Sequence, residues 1–154
     1  MCRELSIDES KRIRNSVLQE LDKYSLTKNG YWYPLCNVKD NIKCISFFRD
    51  DISDELWKDI YYILKSEGIC HIYEIQENVN RVRRCHLDGY FFEHDTDGYD
   101  MLFMSECYWF DDNHKCLIYT SHEKTISFSG SIVDGILLHT KLKRIVKEMY
   151  YQKI

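Results

Sequence analysis

The sequence predicts an α+β fold, an antiparallel sheet of about 5–7 strands with N-terminal, middle and C-terminal helices packed against it. Three observations predict it. Apolar residues recur at helical spacing in three separated segments, near 6–24, 53–66 and 131–150. Short runs rich in aromatic and β-branched residues, divided by polar turns, cluster between the second and third of these. No repeat, low-complexity tract or Pro/Gly/Ser-rich linker interrupts the 154 residues, so 1–154 reads as a single domain.

In the first helix, over 6–24, Ile13, Val17, Leu21 and Tyr24 form one stripe. Ser6 or Asp8 caps its start by accepting from free backbone N–H groups. Lys28-Asn29-Gly30 marks a turn. Segments 31–36 and 42–48 read as two strands joined through the polar stretch 37–41, with Pro34 confining the first to an edge. The second helix, 53–66, starts at an N-cap Ser53 with Asp54 and Glu55 at its positive end, and Gly68 stops it. Strands follow at 69–76, 79–86, 89–94, 101–110, 115–120 and 125–129, with 111–114 as a hairpin turn. The last helix, 131–150, faces inward through Ile132, Val133, Ile136, Leu137, Thr140, Ile145 and Met149.

The N-terminus has no apolar signal-like core, and no run approaches the length needed to span a bilayer. There are seven cysteines, an odd number, with no C-x-x-C pair. That argues against a disulfide framework or zinc ribbon and for reduced thiols in a cytoplasmic protein. P-loop, dinucleotide and nucleophile-elbow motifs are missing. Asp95, Asp97 and Glu106 match three EF-hand positions, but Gly98 falls at the wrong one and an apolar run follows, so no cofactor or metal is expected. Residues Cys85, His86, His94 and Asp95 lack zinc-ligand spacing. Cys107 or Cys116 with His114 or His122 could form a nucleophile pair only through the fold. Ser121-His122-Glu123 reads as a turn, since adjacent residues point in different directions. The basic run Arg81 to Arg84 is too short for a nucleic-acid footprint and reads as a charged edge strand.

Charge is unevenly distributed. Residues 88–112 carry eight acids and no Lys or Arg, so a stretch of −8 sits within a chain of net −4 and the remainder carries +4. The same stretch holds eight aromatic residues. Alternation alone would produce a half-buried meander with rings inward and acids outward. Such a solvent face also suits a basic partner, because carboxylates steer it and aromatic anchors hold it.

The segment Cys107-Tyr-Trp-Phe-Asp-Asp-Asn-His-Lys-Cys-Leu-Ile-Tyr-Thr-Ser-His-Glu-Lys-Thr-Ile-Ser-Phe-Ser-Gly130 resembles small bacterial immunity proteins, which neutralise polymorphic or contact-dependent toxins. Gly98-Tyr-Asp-Met-Leu-Phe followed by Tyr-Trp-Phe-Asp is similar to the SMI1/KNR4-like superfamily. The resemblance spans residues 98–130 and carries no catalytic residue. It implies a non-enzymatic protein that blocks a cationic, nuclease-like toxin domain. The expected contacts are Asp95, Asp97, Asp100, Trp109, Asp111 and Asp112, with Tyr31 and Trp32 as anchors. A small His/carboxylate enzyme, with or without a metal, and an orphan regulatory domain are the alternatives.

Overall fold

The computed structural model describes residues 2–21, 25–28, 31–34, 43–76, 79–88, 106–113 and 115–150. Their elements are β1 (Cys2–Glu4), α1 (Ile7–Leu21), β2 (Ser25–Lys28), β3 (Tyr31–Pro34), β4 (Cys44–Phe48), α2 (Asp54–Ser66), β5 (His71–Gln76), β6 (Arg83–His86), β7 (Cys107–Asp111), β8 (Cys116–Thr120), β9 (Thr125–Gly130), α3 (Ile132–Leu138), α4 (Thr140–Ile145) and β10 (Glu148–Tyr150). The class is α+β, as the sequence indicates. Described strands form an eight-stranded sheet, ordered β1-β6-β5-β7-β8-β9-β4-β10, and a separate β2-β3 hairpin. All pairs are antiparallel.

Alternation divides the sheet into two packed faces. On one, Ile45, Phe47, Ile72, Trp109, Ile118, Ile126 and Phe128 meet Trp57, Ile60 and Leu64 of α2, Ile132 and Ile136 of α3, and Leu142 of α4. Phe47 and Phe128 meet edge to face at 5.5 Å. On the other, Cys44, Ile75, Tyr108, Phe110 and Tyr119 pack with Val17 and Ile13 of α1. Each large side chain buried in this way contributes about 1.5–3 kcal/mol. The helices therefore sandwich the sheet instead of sharing one face. α1 is tied down by polar contacts as well. The Ser10 hydroxyl accepts from the Val82 amide at 3.0 Å, and the Arg14 guanidinium donates to the Gln76 and Val79 carbonyls.

Two expected caps hold. Ser6 and Glu9 form a reciprocal capping box at the start of α1, the Ser6 amide donating to Glu9 at 3.0 Å and the Glu9 amide to the Ser6 hydroxyl at 3.3 Å. Ser53 accepts from the Leu56 amide at 3.4 Å to start α2. Gly68, at φ 78°, ends it.

Other expectations need correction. β3 pairs with β2 and not with β4, whose neighbours are β9 and β10. The predicted 31–36/42–48 hairpin is replaced by two separate pairings. The C-terminal helix is interrupted: His139 is extended, at φ −80° and ψ 115°. Its Nδ1 accepts from the Leu142 amide at 3.3 Å and its Nε2 faces Asp59 at 3.4 Å, so both ring nitrogens hold the break in place. After α4 the chain adds β10 to the open edge of β4, which satisfies backbone groups that would otherwise lie unpaired. The expected strand at 89–94 and the first half of the one at 101–110 lie outside the described residues.

The cysteine reading also changes. Cys2 and Cys85 are joined by a disulfide across β1 and β6. They are direct cross-strand partners despite a separation of 83 residues, which no sequence spacing reveals. Structural disulfides are rare in reducing compartments, so this bond weighs against the surroundings inferred from the cysteine count. Cys107 and Cys116 are free and buried, and Cys44 is buried. No described helix is long and apolar enough to cross a membrane.

Glycine is needed where β9 ends. Gly130 has φ 92°, and a Cβ there would lie 1.9 Å from the Lys115 carbonyl oxygen. Gly130→Ala is expected to lower stability by about 2–3 kcal/mol, read as an earlier midpoint in chemical denaturation. An unchanged midpoint would show that β8 and β9 can separate at this corner without cost.

Candidate functional site

The structure divides the eight acids of residues 88–112 into two sets. Four lie among the described residues, and each has a partner within the protein. Asp88 accepts from the Tyr61 hydroxyl at 2.6 Å and the Lys65 ammonium at 2.9 Å, and these bonds hold its carboxyl below the usual range. Glu106 is buried and meets His122 Nδ1 at 2.5 Å. Asp111 accepts from the Asn113 amide at 3.0 Å and the Cys116 amide at 2.8 Å, closing the β7–β8 turn. Asp112 accepts from Arg84 at 3.1 Å. Burial alone would raise Asp112, but hydrogen bonds from Arg84 and Tyr73 outweigh it and lower its carboxyl.

Two expected contact residues are thereby corrected. Trp109 is 5% exposed and Asp111 3% exposed. Trp109 sits in the core beneath the helices, because alternation along β7 turns its ring to the same face as Cys107. Asp111 is consumed by turn amides. Asp112 is on the surface, but its charge is answered by Arg84. Asp95, Asp97 and Asp100 lie outside the described residues. Tyr31 and Trp32 lie on β3 of the hairpin.

The chemical alternatives lose ground at specific residues. Burial pushes the Cys107 and Cys116 thiols well up, which leaves them un-ionised and poorly nucleophilic. Cys85 is in the disulfide and so cannot be a zinc ligand. Among the described residues, no three His, Cys, Asp or Glu side chains are arranged to hold a metal. Ser121 accepts from the Glu123 amide at 3.0 Å, the turn that the sequence indicates.

A different surface emerges on the face that carries α1. Arg3 and Leu5 from the β1 edge, Glu9, Arg12 and Ile13 from α1, and Tyr73 and Arg84 from β5 and β6 enclose an open groove of about 630 Å³. Tyr73 stacks on Phe110, centroids 5.1 Å apart and planes 16° from parallel, while the Arg84 guanidinium lies 5.7 Å above its ring. Beside this, His71 and His86 face each other across β5 and β6 with rings 5.0 Å apart. Sequence reasoning saw Arg84 only as part of an edge strand. Arg3 and Arg12 carried no signal, because nothing local shows that a strand and a helix will bring them together.

His71 reports on this surface. Partial burial, then the charge of Arg84, then His86, lower it from its ordinary 6.5. Below pH 6.5 the unfolded chain binds this proton more readily. His71 protonation therefore removes stability as pH falls through and below 6.5, and contributes nothing above it. In an NMR titration of the ring, His71 should titrate below 6.5, and Arg84→Gln should move it upward. A midpoint at or above 6.5 in the parent protein contradicts the assignment.

Fold and groove together define an α+β protein with an arginine-lined surface cleft. Compared with protein-family models, curated proteins and solved structures, the chain matches none.

Proposed function

We propose that this chain is a non-enzymatic protein-binding domain of the toxin-neutralising type, whose partner is a cationic, nuclease-like domain. The observation that carries the reading is the division of charge. Asp88, Glu106, Asp111 and Asp112 are engaged internally, and the other four acids of the stretch, Glu93, Asp95, Asp97 and Asp100, lie outside the described residues. Those four acids fall within residues 93–100, a segment with no Lys or Arg. Such a concentration accelerates encounter with a basic surface and opposes an acidic one. The resemblance to immunity proteins suggested by residues 98–130 belongs to the same reading.

Asp97→Lys is expected to weaken capture of a cationic nuclease domain used as the probe by roughly ten-fold or more, chiefly through slower and less salt-sensitive association. Asp112→Lys, which breaks an internal pair, should leave the salt dependence of association intact. The reverse pattern would place the partner elsewhere and end this reading.

A further inference from the structure

The geometry points to a second binding site: the groove between β1, α1 and the β5–β6 pair takes a phosphate group carried on a small molecule. This goes beyond the protein-binding reading, because it uses other residues and the opposite charge.

Arg3 and Arg84 are direct partners across antiparallel strands. Like charges placed opposite each other destabilise a ladder unless something answers them. Arg12 adds a third guanidinium from above. Among the described residues Arg3 and Arg12 have no hydrogen-bond or ion-pair partner; the one acid in the lining, Glu9, feels the charge of both, but its carboxylate is bonded to the Ser6 hydroxyl at 2.7 Å and the Ser6 amide and not to either arginine. Asp112 engages Arg84 through Nη2, so other guanidinium N–H groups of Arg84 are left to donate. An anion between these arginines would relieve the repulsion and accept several charge-assisted bonds at once.

The backbone that carries the arginines is held in place without a ligand. The disulfide locks the ladder position beside Arg3 and Arg84, and the Ser10 and Arg14 contacts fix α1 over them. A backbone scaffold set in advance spends less of its binding energy on bringing the strand and the helix together. Against Glu9 in the lining and Asp112 on Arg84, the three guanidiniums leave the groove net positive, and their forked donors match the oxygens of a phosphate. The volume of about 630 Å³ is that of a small-molecule pocket. Leu5 and Ile13 offer an apolar wall. Tyr73 has Phe110 stacked on its ring and Arg84 over it, so it offers no clear platform for a nucleobase. The recognised end is therefore the phosphate, and the body rests on the apolar wall.

Calorimetry with inorganic phosphate, phenyl phosphate, acetate, hexaglutamate and a single-stranded oligonucleotide tests this. Phenyl phosphate should bind saturably and more tightly than inorganic phosphate, and acetate more weakly than either. Arg3→Gln and Arg12→Gln, both at exposed positions, should each weaken phenyl phosphate about ten-fold, and Arg12→Lys should recover only part of the loss. Reduction of the disulfide, which frees β1, should also weaken it, while Asp97→Lys should bind phosphate as the parent does. The proposal is overturned by absence of saturable phosphate binding, by unchanged affinity in the folded Arg3→Gln/Arg12→Gln protein, or by tighter binding of hexaglutamate or the oligonucleotide than of phenyl phosphate.

Discussion

Arg83→Ala should lower the unfolding free energy by about 3 kcal/mol, because it removes the cation paired with a buried carboxylate. The Glu74 side chain is fully buried, whereas that of Arg83 is 31% exposed. Arg83 Nη1 donates to Glu74 Oε1 at 3.2 Å, and Gln76 Nε2 donates to the same oxygen at 2.8 Å. Glu74 stands opposite Trp109 on β7, on the face covered by the helices. Without Arg83, the buried carboxylate loses its cationic partner, and less of its desolvation is offset. The double substitution Glu74→Leu/Arg83→Met should recover most of the loss, since an apolar pair of similar size removes both the charge and the need for its partner. Chemical denaturation of the parent, Arg83→Ala and the double variant provides the check. If Arg83→Ala is as stable as the parent, the buried pair contributes nothing.

Reduction of the Cys2–Cys85 bond should cost about 2–4 kcal/mol. The bond closes a loop across 83 residues, which removes much of the freedom of the unfolded chain. In the folded protein it holds an edge strand of three residues whose other ties are modest. These are its short antiparallel pairing with β6, the Leu5 amide bonded to the Val82 carbonyl at 2.9 Å and an exposed Glu4–Arg81 ion pair at 2.8 Å. Exposed pairs of this kind contribute little. Urea titrations with and without reductant, repeated on Cys2→Ser/Cys85→Ser, should give matching early midpoints for the reduced and substituted proteins. Coincident midpoints for oxidised and reduced protein would show that the cross-link does not stabilise the fold.

Much of the fold was legible because its signals are local. The α2 stripe, the Ser53 cap and the Gly68 stop are each set by side chains within a few residues of the backbone that they shape. The turn at 111–113 was equally readable, since Asp111 bonds the amides of its own hairpin. The C-terminal segment misled because its apolar spacing continues through His139. There a distant aspartate, Asp59, and the open edge of β4 favour a break and a tenth strand. The expected acidic site failed at Trp109 and Asp111 for a related reason. Alternation correctly marks two faces of β7, but helices cover one and α1 packs on the other, so neither face of that strand is open.

By itself, the sequence determined the α+β class, most element positions, the uneven charge and the lack of nucleotide and hydrolase motifs. These depend on local propensity, periodicity and counting, which need no knowledge of distant neighbours. Only the tertiary structure decided that Cys2 meets Cys85, that Arg3, Arg12 and Arg84 share a groove, and that four acids are answered internally. Those relations join residues far apart in the chain. They arise from strand order and register, which are fixed by global packing and closure of the sheet edges.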